Sequence, residues 1–355
     1  MAEELPLVLV TGCSGFIGTQ VCLTLLETAQ YRVKGTVRSV APDAANNQHL
    51  LNHTILQRVE LVEADLLKDE GWKEALIDVS YVLHVASPFP KAGKVEPGSL
   101  VEPALKGTER VLRAAAAAGS VKRVVLTSSV QSVSSGRPKE DSVEKVFTEA
   151  DWSNPDSSTI EEYAKSKTLA EKRAWELAEE LNLELVVINP SYVLGPMIAS
   201  RDPSSIVMCK RILNGEMAAT PKLWINCVDV RDVADAHVKA MTSPDAAGKR
   251  FILDCGAGKW MTDIAILVKE KFPAQPVKTM EAPWFVLALL SLWDKDAAAI
   301  RGSIGKKMET YDCSRATGLI GHDLRSADEA IIAMCDSLLQ LGIAKRGQLP
   351  RRILL

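Results

Sequence analysis

The stretch LPLVLVTGCSGFIG, residues 5–18, constrains the fold more than any other. Leu5–Gly12 is a continuous apolar run closed by a turn, the pattern of a strand buried on both faces. Gly12, Gly15 and Gly18 follow at a three-residue spacing, and a helical pattern runs from about Phe16 to Ala29. Without a Cβ the turn tightens and a phosphate can approach the amides of the helix N-terminus, where the helix dipole favours negative charge. The third glycine lets the helix pack close to the strand. A glycine turn placed between a strand and a helix reads as a dinucleotide-binding turn, with Phe16 and Ile17 among its cofactor-facing positions.

Further strands are predicted at Tyr31–Val37, Arg58–Asp65, Tyr81–Ser87, Arg123–Ser129 and Leu183–Pro190. Long helices are predicted over Val101–Ala118 and over Glu161–Asn182. Strands alternating with helices imply parallel pairing through right-handed crossovers, hence an α/β, doubly wound parallel Rossmann sheet. Ligands of such sheets sit at the carboxyl ends of the strands. After Pro196 the alternation stops; one more strand is expected at Lys249–Asp254 and a helix at Trp260–Phe272. The expected division is a nucleotide domain over residues 5–195 plus about 227–255. A smaller, mostly helical substrate domain takes about 196–226 and 256–345.

The end of the second strand selects the cofactor. A carboxylate there would bond a ribose 2′-hydroxyl and repel a 2′-phosphate, whereas Arg38 can grip a 2′-phosphate with its guanidinium fork. NADP(H) is therefore favoured over NAD(H). Asp65 and Leu66 close the third strand near the expected adenine site. Val85, Ala86 and Ser87 end the fourth, where small side chains let the cofactor lie flat.

Tyr163 and Lys167 stand four residues apart and so project from one face of a helix. That helix follows a strand ending in Ser128-Ser129, which brings the three groups to one end of the sheet. Hydride transfer to a carbonyl builds negative charge on oxygen, which then needs a proton. A tyrosine hydroxyl, with a reference pKa of about 10, needs help to exchange at neutral pH. A lysine cation one turn away stabilises the phenolate, and a serine hydroxyl orients the carbonyl.

The Gly12/Gly15/Gly18 turn, TVR, ADL, HVASP, VVLTSS, YAKSKTLAE and NPSYVLGP together resemble the extended short-chain dehydrogenase/reductases, and within them the dihydroflavonol reductase-like group. The likeness covers about residues 5–345 and is densest over 5–200. It implies Tyr163 as proton donor, Lys167 lowering its pKa and holding the nicotinamide ribose, and Ser129 binding the carbonyl, with Ser128 as the adjacent alternative. It also implies that Pro190, Ser191, Tyr192 and Val193 flank the nicotinamide. Plant dihydroflavonol reductases use an Asn and a Gln for their substrate; this chain carries Ser134 and Asn226 at those places, which argues against a dihydroflavonol. Ser134, Tyr192 and Asn226 are the expected substrate contacts. Segments 130–137, 192–226 and 282–293 are expected to build the pocket, with Trp224, Trp284, Phe285 and Trp293 as candidate walls.

A net charge of −3 over 355 residues gives no case for a nucleic-acid partner. Seven scattered cysteines read as reduced thiols, and five dispersed histidines suggest no metal site; His237 reads as a helix-face residue, Asp229 and Asp232 as turn or cap residues. The apolar run Pro283–Trp293 is too short to span a bilayer, which takes about 20 residues, and it reads as a core helix, with a lid over an apolar pocket or a membrane-touching helix as the alternatives. The expectation is a cytoplasmic monomer or homodimer acting on a small carbonyl or alcohol. Three readings stay open: an NADPH-dependent carbonyl reductase, a sugar-nucleotide epimerase/dehydratase or 3β-hydroxysteroid dehydrogenase, and a cofactor sensor without turnover.

Overall fold

The computed structural model describes residues 4–41, 47–87, 98–137, 145–199, 206–283, 285, 304–305, 309–345 and 347. In chain order the elements are β1 (Leu7–Thr11), α1 (Phe16–Glu27), β2 (Arg32–Val37), α2 (Gln48–Asn52), β3 (Glu60–Glu63), α3 (Trp72–Ala75) and β4 (Val79–His84). There follow α4 (Val101–Ala118), β5 (Arg123–Thr127), α5 (Gln131–Ser134), β6 (Val146–Phe147), α6 (Glu162–Glu180), β7 (Leu185–Pro190) and β8 (Tyr192–Leu194). The remainder comprises α7 (Val207–Leu213), β9 (Trp224–Ile225), β10 (Cys227–Asp229), α8 (Val230–Thr242), β11 (Arg250–Leu253) and β12 (Lys259–Trp260). The last elements are α9 (Met261–Lys271), β13 (Thr310–Tyr311), α10 (Ser314–Ile320) and α11 (Ala327–Gln340).

The chain divides into two units: residues 1–191, 230–253 and 310–324 form the first, and 192–229, 254–309 and 325–355 the second. The division falls a few residues from the expected one. One segment was not foreseen: 310–324 belongs to the first unit, where α10 packs on α8 and β13 pairs with β6.

The first unit holds a seven-stranded sheet in the order β11-β7-β5-β4-β1-β2-β3, and every pairing in it is parallel. All residues of β1, β5 and β7 are buried, as expected of strands covered on both faces. On one face α4 lies along α6. Both helices bury small residues, among them Ala104 and Ala115 of α4 and Ala170, Ala174 and Ala178 of α6. Leu9, Val82, Val111, Leu112, Val124, Leu177 and Val187 fill the core beneath. Full burial of each such side chain stabilises the fold by about 1.5–3 kcal/mol. On the other face α1 packs against α8.

Strand order reverses between β1 and β4, so the crevice of this sheet opens between their carboxyl ends. The strands expected over 81–87 and 123–129 stop short, at His84 and Thr127. Residues 85–87 and 128–129 leave the ladder and face the crevice end as loops. These are the positions singled out for chemistry, and a continuing ladder would have kept them in the sheet.

Helices dominate the described residues of the second unit, as expected, and its strands are short. β8 pairs in parallel with β10, and β9 pairs antiparallel with β12. Around them α11 packs on α7, α9 and β10, and it opens with a capping box between Ser326 and Glu329. Among the described residues no helix is long and apolar enough to cross a membrane. Of the apolar run 283–293, only Pro283 and Phe285 lie within the described residues; Trp284 and Trp293 lie outside them. The seven cysteines are free thiols, five of them buried. Asp229 closes β10 directly before α8 and Asp232 sits in the first turn of that helix, both fully buried.

Candidate active site

The glycine turn has the geometry its sequence implies. Gly12 adopts a φ of +64°, and the Gly15 amide donates to its carbonyl at 2.9 Å. A Cβ added to Gly18 would lie 2.3 Å from the Gly12 oxygen, and one on Gly12 would lie 3.1 Å from the Ala86 Cβ. No side chain caps α1 at Gly15, so its first amides are left for another partner. Phe16 and Ile17, half-buried, open that helix. The turn is tied to both neighbouring strands. The Gly12 amide donates to Thr36 Oγ1 at 3.0 Å on β2, and the Ala86 amide donates to Thr11 Oγ1 at 3.0 Å. Thr11 Oγ1 also pairs with His84 Nδ1 at 2.9 Å. Burial first, then the nearby Lys167 charge, lowers His84 to about 3, so the ring is neutral.

Arg38 is exposed directly beyond β2. Asp65 is half-buried, and its Oδ1 accepts the Leu67 amide at 3.0 Å, which fixes the loop after β3. Leu66 packs over Gly107, where an added Cβ would come within 3.1 Å of it. Leu66, His84, Ala86, Ser87 and Thr108 line a cleft that reaches Lys167. Val85, Ala86 and Ser87 are half-buried along this edge.

Tyr163, Lys167 and Glu171 occupy successive turns of α6. Ser129 is hydrogen-bonded to Tyr163, whereas Ser128 turns its hydroxyl to Ser132 at 3.2 Å. Of the two adjacent serines, the structure thus brings Ser129 to the tyrosine. Lys167 Nζ donates to the Thr127 carbonyl at 3.4 Å and lies 6.0 Å from the centre of the Tyr163 ring. Burial lowers Lys167 to about 8, with Glu171 acting in the opposite direction.

One expectation is corrected here. Tyr163 is not lowered in the chain by itself; burial pushes it up to about 12, and the Ser129 hydrogen bond only partly offsets that. Desolvation of the phenolate is the larger cause, and the Ser129 hydrogen bond the smaller, opposing one.

At the end of β7 the Ser191 amide donates to the Leu253 carbonyl at 2.9 Å, while the buried Ser191 Oγ has no partner. An orphaned hydroxyl beside Pro190 at the sheet's carboxyl end, together with uncapped amides at Gly15, suits a polar cofactor laid along this edge. The residues present therefore fit a dinucleotide. Tyr192 and Val193 belong to the second unit, where the Tyr192 amide donates to the Asn226 carbonyl at 3.2 Å.

The expected substrate side chains are already engaged. Ser134 is buried and pairs with Tyr311 Oη at 2.9 Å, a partner from the unforeseen segment 310–324. Asn226 accepts from Trp224 Nε1 at 2.8 Å and donates to the Glu309 carbonyl at 2.6 Å. Trp224 stands edge-on to Trp260 at 5.1 Å, and Phe285 is exposed. His237 is a buried helix residue whose Nε2 pairs with Thr127 Oγ1 at 2.7 Å, and burial lowers it to about 4. Where no metal set was expected, the fold gathers Asp232, Asp235 and His322 with ligand atoms within 4.8 Å of one another.

Reading the sequence missed the polar residues beneath the site: Ser132, Glu171, Asn189 and Arg250. Glu171 carried a signal, since it lies on the face of Tyr163 and Lys167 one turn further on. Nothing local announces Arg250, which arrives from a strand 79 residues away.

The model of the NAD dependent epimerase/dehydratase family matches residues 8–256. Cinnamoyl-CoA reductase 1 of Petunia hybrida is 37% identical over 275 residues, covering 77% of this chain and 79% of its own. Tetraketide alpha-pyrone reductase 2 of Arabidopsis thaliana is 35% identical over 274 residues, covering 76% and 83%. Among solved structures, yeast methylglyoxal/isovaleraldehyde reductase Gre2 complexed with NADPH superposes with a TM-score of 0.74 at 27% identity, covering 95% of this chain and 99% of its own. The glycine turn, the seven-stranded sheet and these matches agree: the chain belongs to the NAD dependent epimerase/dehydratase family.

Proposed function

We propose that this protein reduces an aldehyde or ketone to an alcohol at the expense of NADPH, with Tyr163 as proton donor, Lys167 as its charged neighbour and Ser129 as the carbonyl-orienting hydroxyl. The observation that carries the reading is the Ser129–Tyr163 hydrogen bond beside Lys167, at the same sheet end as the glycine turn. The chain is an oxidoreductase of a group whose relatives are named reductases, and one structural neighbour holds NADPH. Gly12, Gly15 and Gly18 would admit the pyrophosphate, Arg38 would meet the 2′-phosphate, and Lys167 would hold the ribose next to the nicotinamide.

When bound, NADPH supplies the hydride. Ser129 then donates to the carbonyl oxygen and holds it against Tyr163. Tyr163, at about 12, keeps its proton throughout the neutral range and so is poised to give it up only as negative charge develops on that oxygen. Lys167, at about 8, is mostly protonated at neutral pH and stands where the new phenolate needs a cation. Tyr163 pushed up by burial therefore suits the reductive direction: the neutral phenol is the resting acid.

A hydrophobic carbonyl is the proposed substrate class. The engagement of Ser134 and Asn226 within the fold supports the exclusion of a dihydroflavonol. The test is purified protein with NADPH and a panel of aliphatic and aromatic aldehydes and ketones, followed by loss of NADPH absorbance. Turnover of at least one carbonyl is expected; tight NADPH binding with no turnover on any of them would leave a cofactor sensor as the better reading.

A further inference from the structure

Beneath the candidate site lies a buried polar cluster that the proposed reaction does not use directly. Glu171 is fully buried, and its Oε1 accepts from Arg250 Nε at 2.6 Å. Its other oxygen, Oε2, accepts from the Ser132 hydroxyl and from Asn189 Nδ2, the latter at 2.8 Å. Both of those donors lead to one place. The Ser132 Oγ is 2.7 Å and Asn189 Nδ2 is 3.2 Å from the carbonyl oxygen of Ser129. Arg250 is saturated in turn by the carbonyls of Glu149 at 3.0 Å and Asp151 at 2.6 Å, and it stacks on Trp152 at 3.9 Å.

We propose that Glu171 is a positioning residue for this site: clamped by Arg250, its carboxylate fixes the Ser129 backbone through Asn189, with the Ser132 hydroxyl beside it, and sets the charge that Lys167 faces on the same helix. The proposal rests on the reading of Ser129, Tyr163 and Lys167 given above. A buried ion pair is weak evidence of stabilisation, because a well-packed apolar pair of similar volume often serves as well. Here the carboxylate's second oxygen has a different use. It accepts from Asn189, whose other amide hydrogen reaches the carbonyl of the residue bonded to Tyr163, while the single hydroxyl proton of Ser132 serves either the carboxylate or that carbonyl. The same side chain raises Lys167 against the lowering effect of burial.

The groups facing Lys167 are few. Tyr163 and Glu171 share its helix, His84 faces it from β4, and the Thr127 carbonyl meets it from β5. Its cleft is also lined by Ala104 and Thr108 of α4, which carry no charge. Behind Glu171 stands Arg250, with Glu149 beyond it. His84 is neutral over the accessible range, so Glu171 is the carboxylate that raises Lys167.

The test compares the parent with Glu171→Gln/Arg250→Met and with Ser132→Ala. The double substitution removes both charges at once and leaves no buried guanidinium unpaired. Two quantities are read: the titration of Lys167, followed by its 13Cε resonance in the cofactor-free protein, and kcat with KM for carbonyl and NADPH. In the double variant the Lys167 midpoint should fall below the parent's. Its kcat should drop on the order of tenfold to a hundredfold with little change in KM for NADPH. Ser132→Ala removes the hydroxyl wedged between the carboxylate and the Ser129 carbonyl, so it should lower kcat by about threefold to tenfold while leaving the Lys167 midpoint in place. A purely structural role predicts that the folded double variant keeps the parent midpoint and kcat; that result overturns the proposal, as does parent kcat in Ser132→Ala. If the parent itself turns over no carbonyl, the reading of the reaction fails, whereas the cofactor-free titration still decides whether Glu171 sets the charge on Lys167.

Discussion

The polar side chains expected to meet a ligand differ between the two units. In the first, the crevice end of a seven-stranded parallel sheet gathers groups whose hydrogen-bonding capacity is not exhausted: the uncapped amides after Gly15, the orphaned Ser191 hydroxyl, and the Tyr163–Ser129 pair beside Lys167. In the second, Asn226, Trp224 and Glu309 satisfy one another, and short two- and three-residue strands hold them there. All five histidines fall in the first unit and none in the second. The proposed chemistry rests on one helix face and one sheet edge, where spacing along the chain sets geometry. In the second unit Asn226 holds a loop through Trp224 and Glu309.

The largest expected effect lies at the centre of the first unit. Lys167→Met should lower kcat by about a thousandfold, since it removes the cation next to the phenol and the donor to Thr127. Steady-state kinetics checks this, and a loss of less than about tenfold would break the distinction between the units.

Acid should also single out the first unit. His84 and His237 are lowered to about 3 and about 4, below the ordinary value of 6.5. Below pH 6.5 the unfolded chain binds a proton at each while the folded chain does not, so their contribution is complete above pH 6.5 and is lost as pH falls. The slope is about 1.4 kcal/mol per pH unit for each histidine, or about 2.7 for the two together, down to roughly pH 4. Urea denaturation at pH 7 and pH 5 measures the loss. Hydrogen exchange, corrected for intrinsic rates, should place it in the first unit's amides; equal stability at the two pH values would contradict the account.

Arg38→Ala sharpens the comparison within the cofactor edge. The side chain is exposed, so stability should stay within about 0.5 kcal/mol. KM for NADPH should rise about tenfold, while KM for NADH should change little. Asn226→Ala tests the other side. Losing its bonds to Trp224 and Glu309 should cost about 1–3 kcal/mol in denaturation and alter the Trp224 near-ultraviolet signal. An unchanged signal would mean that Asn226 does not hold Trp224.

Much of the first unit was legible because its signals are local. The glycine turn, the strand–helix alternation and the Tyr163–Lys167 spacing each depend on neighbours within a few residues, and α4 over Val101–Ala118 matched its expected bounds. The strand ends were less legible, because a residue leaving the ladder has the same apolar or small character as one within it. The Ser134–Tyr311 and Glu171–Arg250 pairings were not legible at all. Their partners lie 177 and 79 residues apart, and only the closed sheet brings them together. The tyrosine's acidity shows the same limit: spacing showed a lysine nearby, but not how far burial would push the phenol up.

The central claim is that Tyr163 gives the proton while the rest of the site binds the cofactor. Tyr163→Phe removes one oxygen and leaves the ring, the helix and the glycine turn. Its NADPH Kd, measured by fluorescence titration, should lie within about threefold of the parent, and kcat on the parent's best carbonyl should fall by about a thousandfold. Parent-like turnover by Tyr163→Phe would contradict the account.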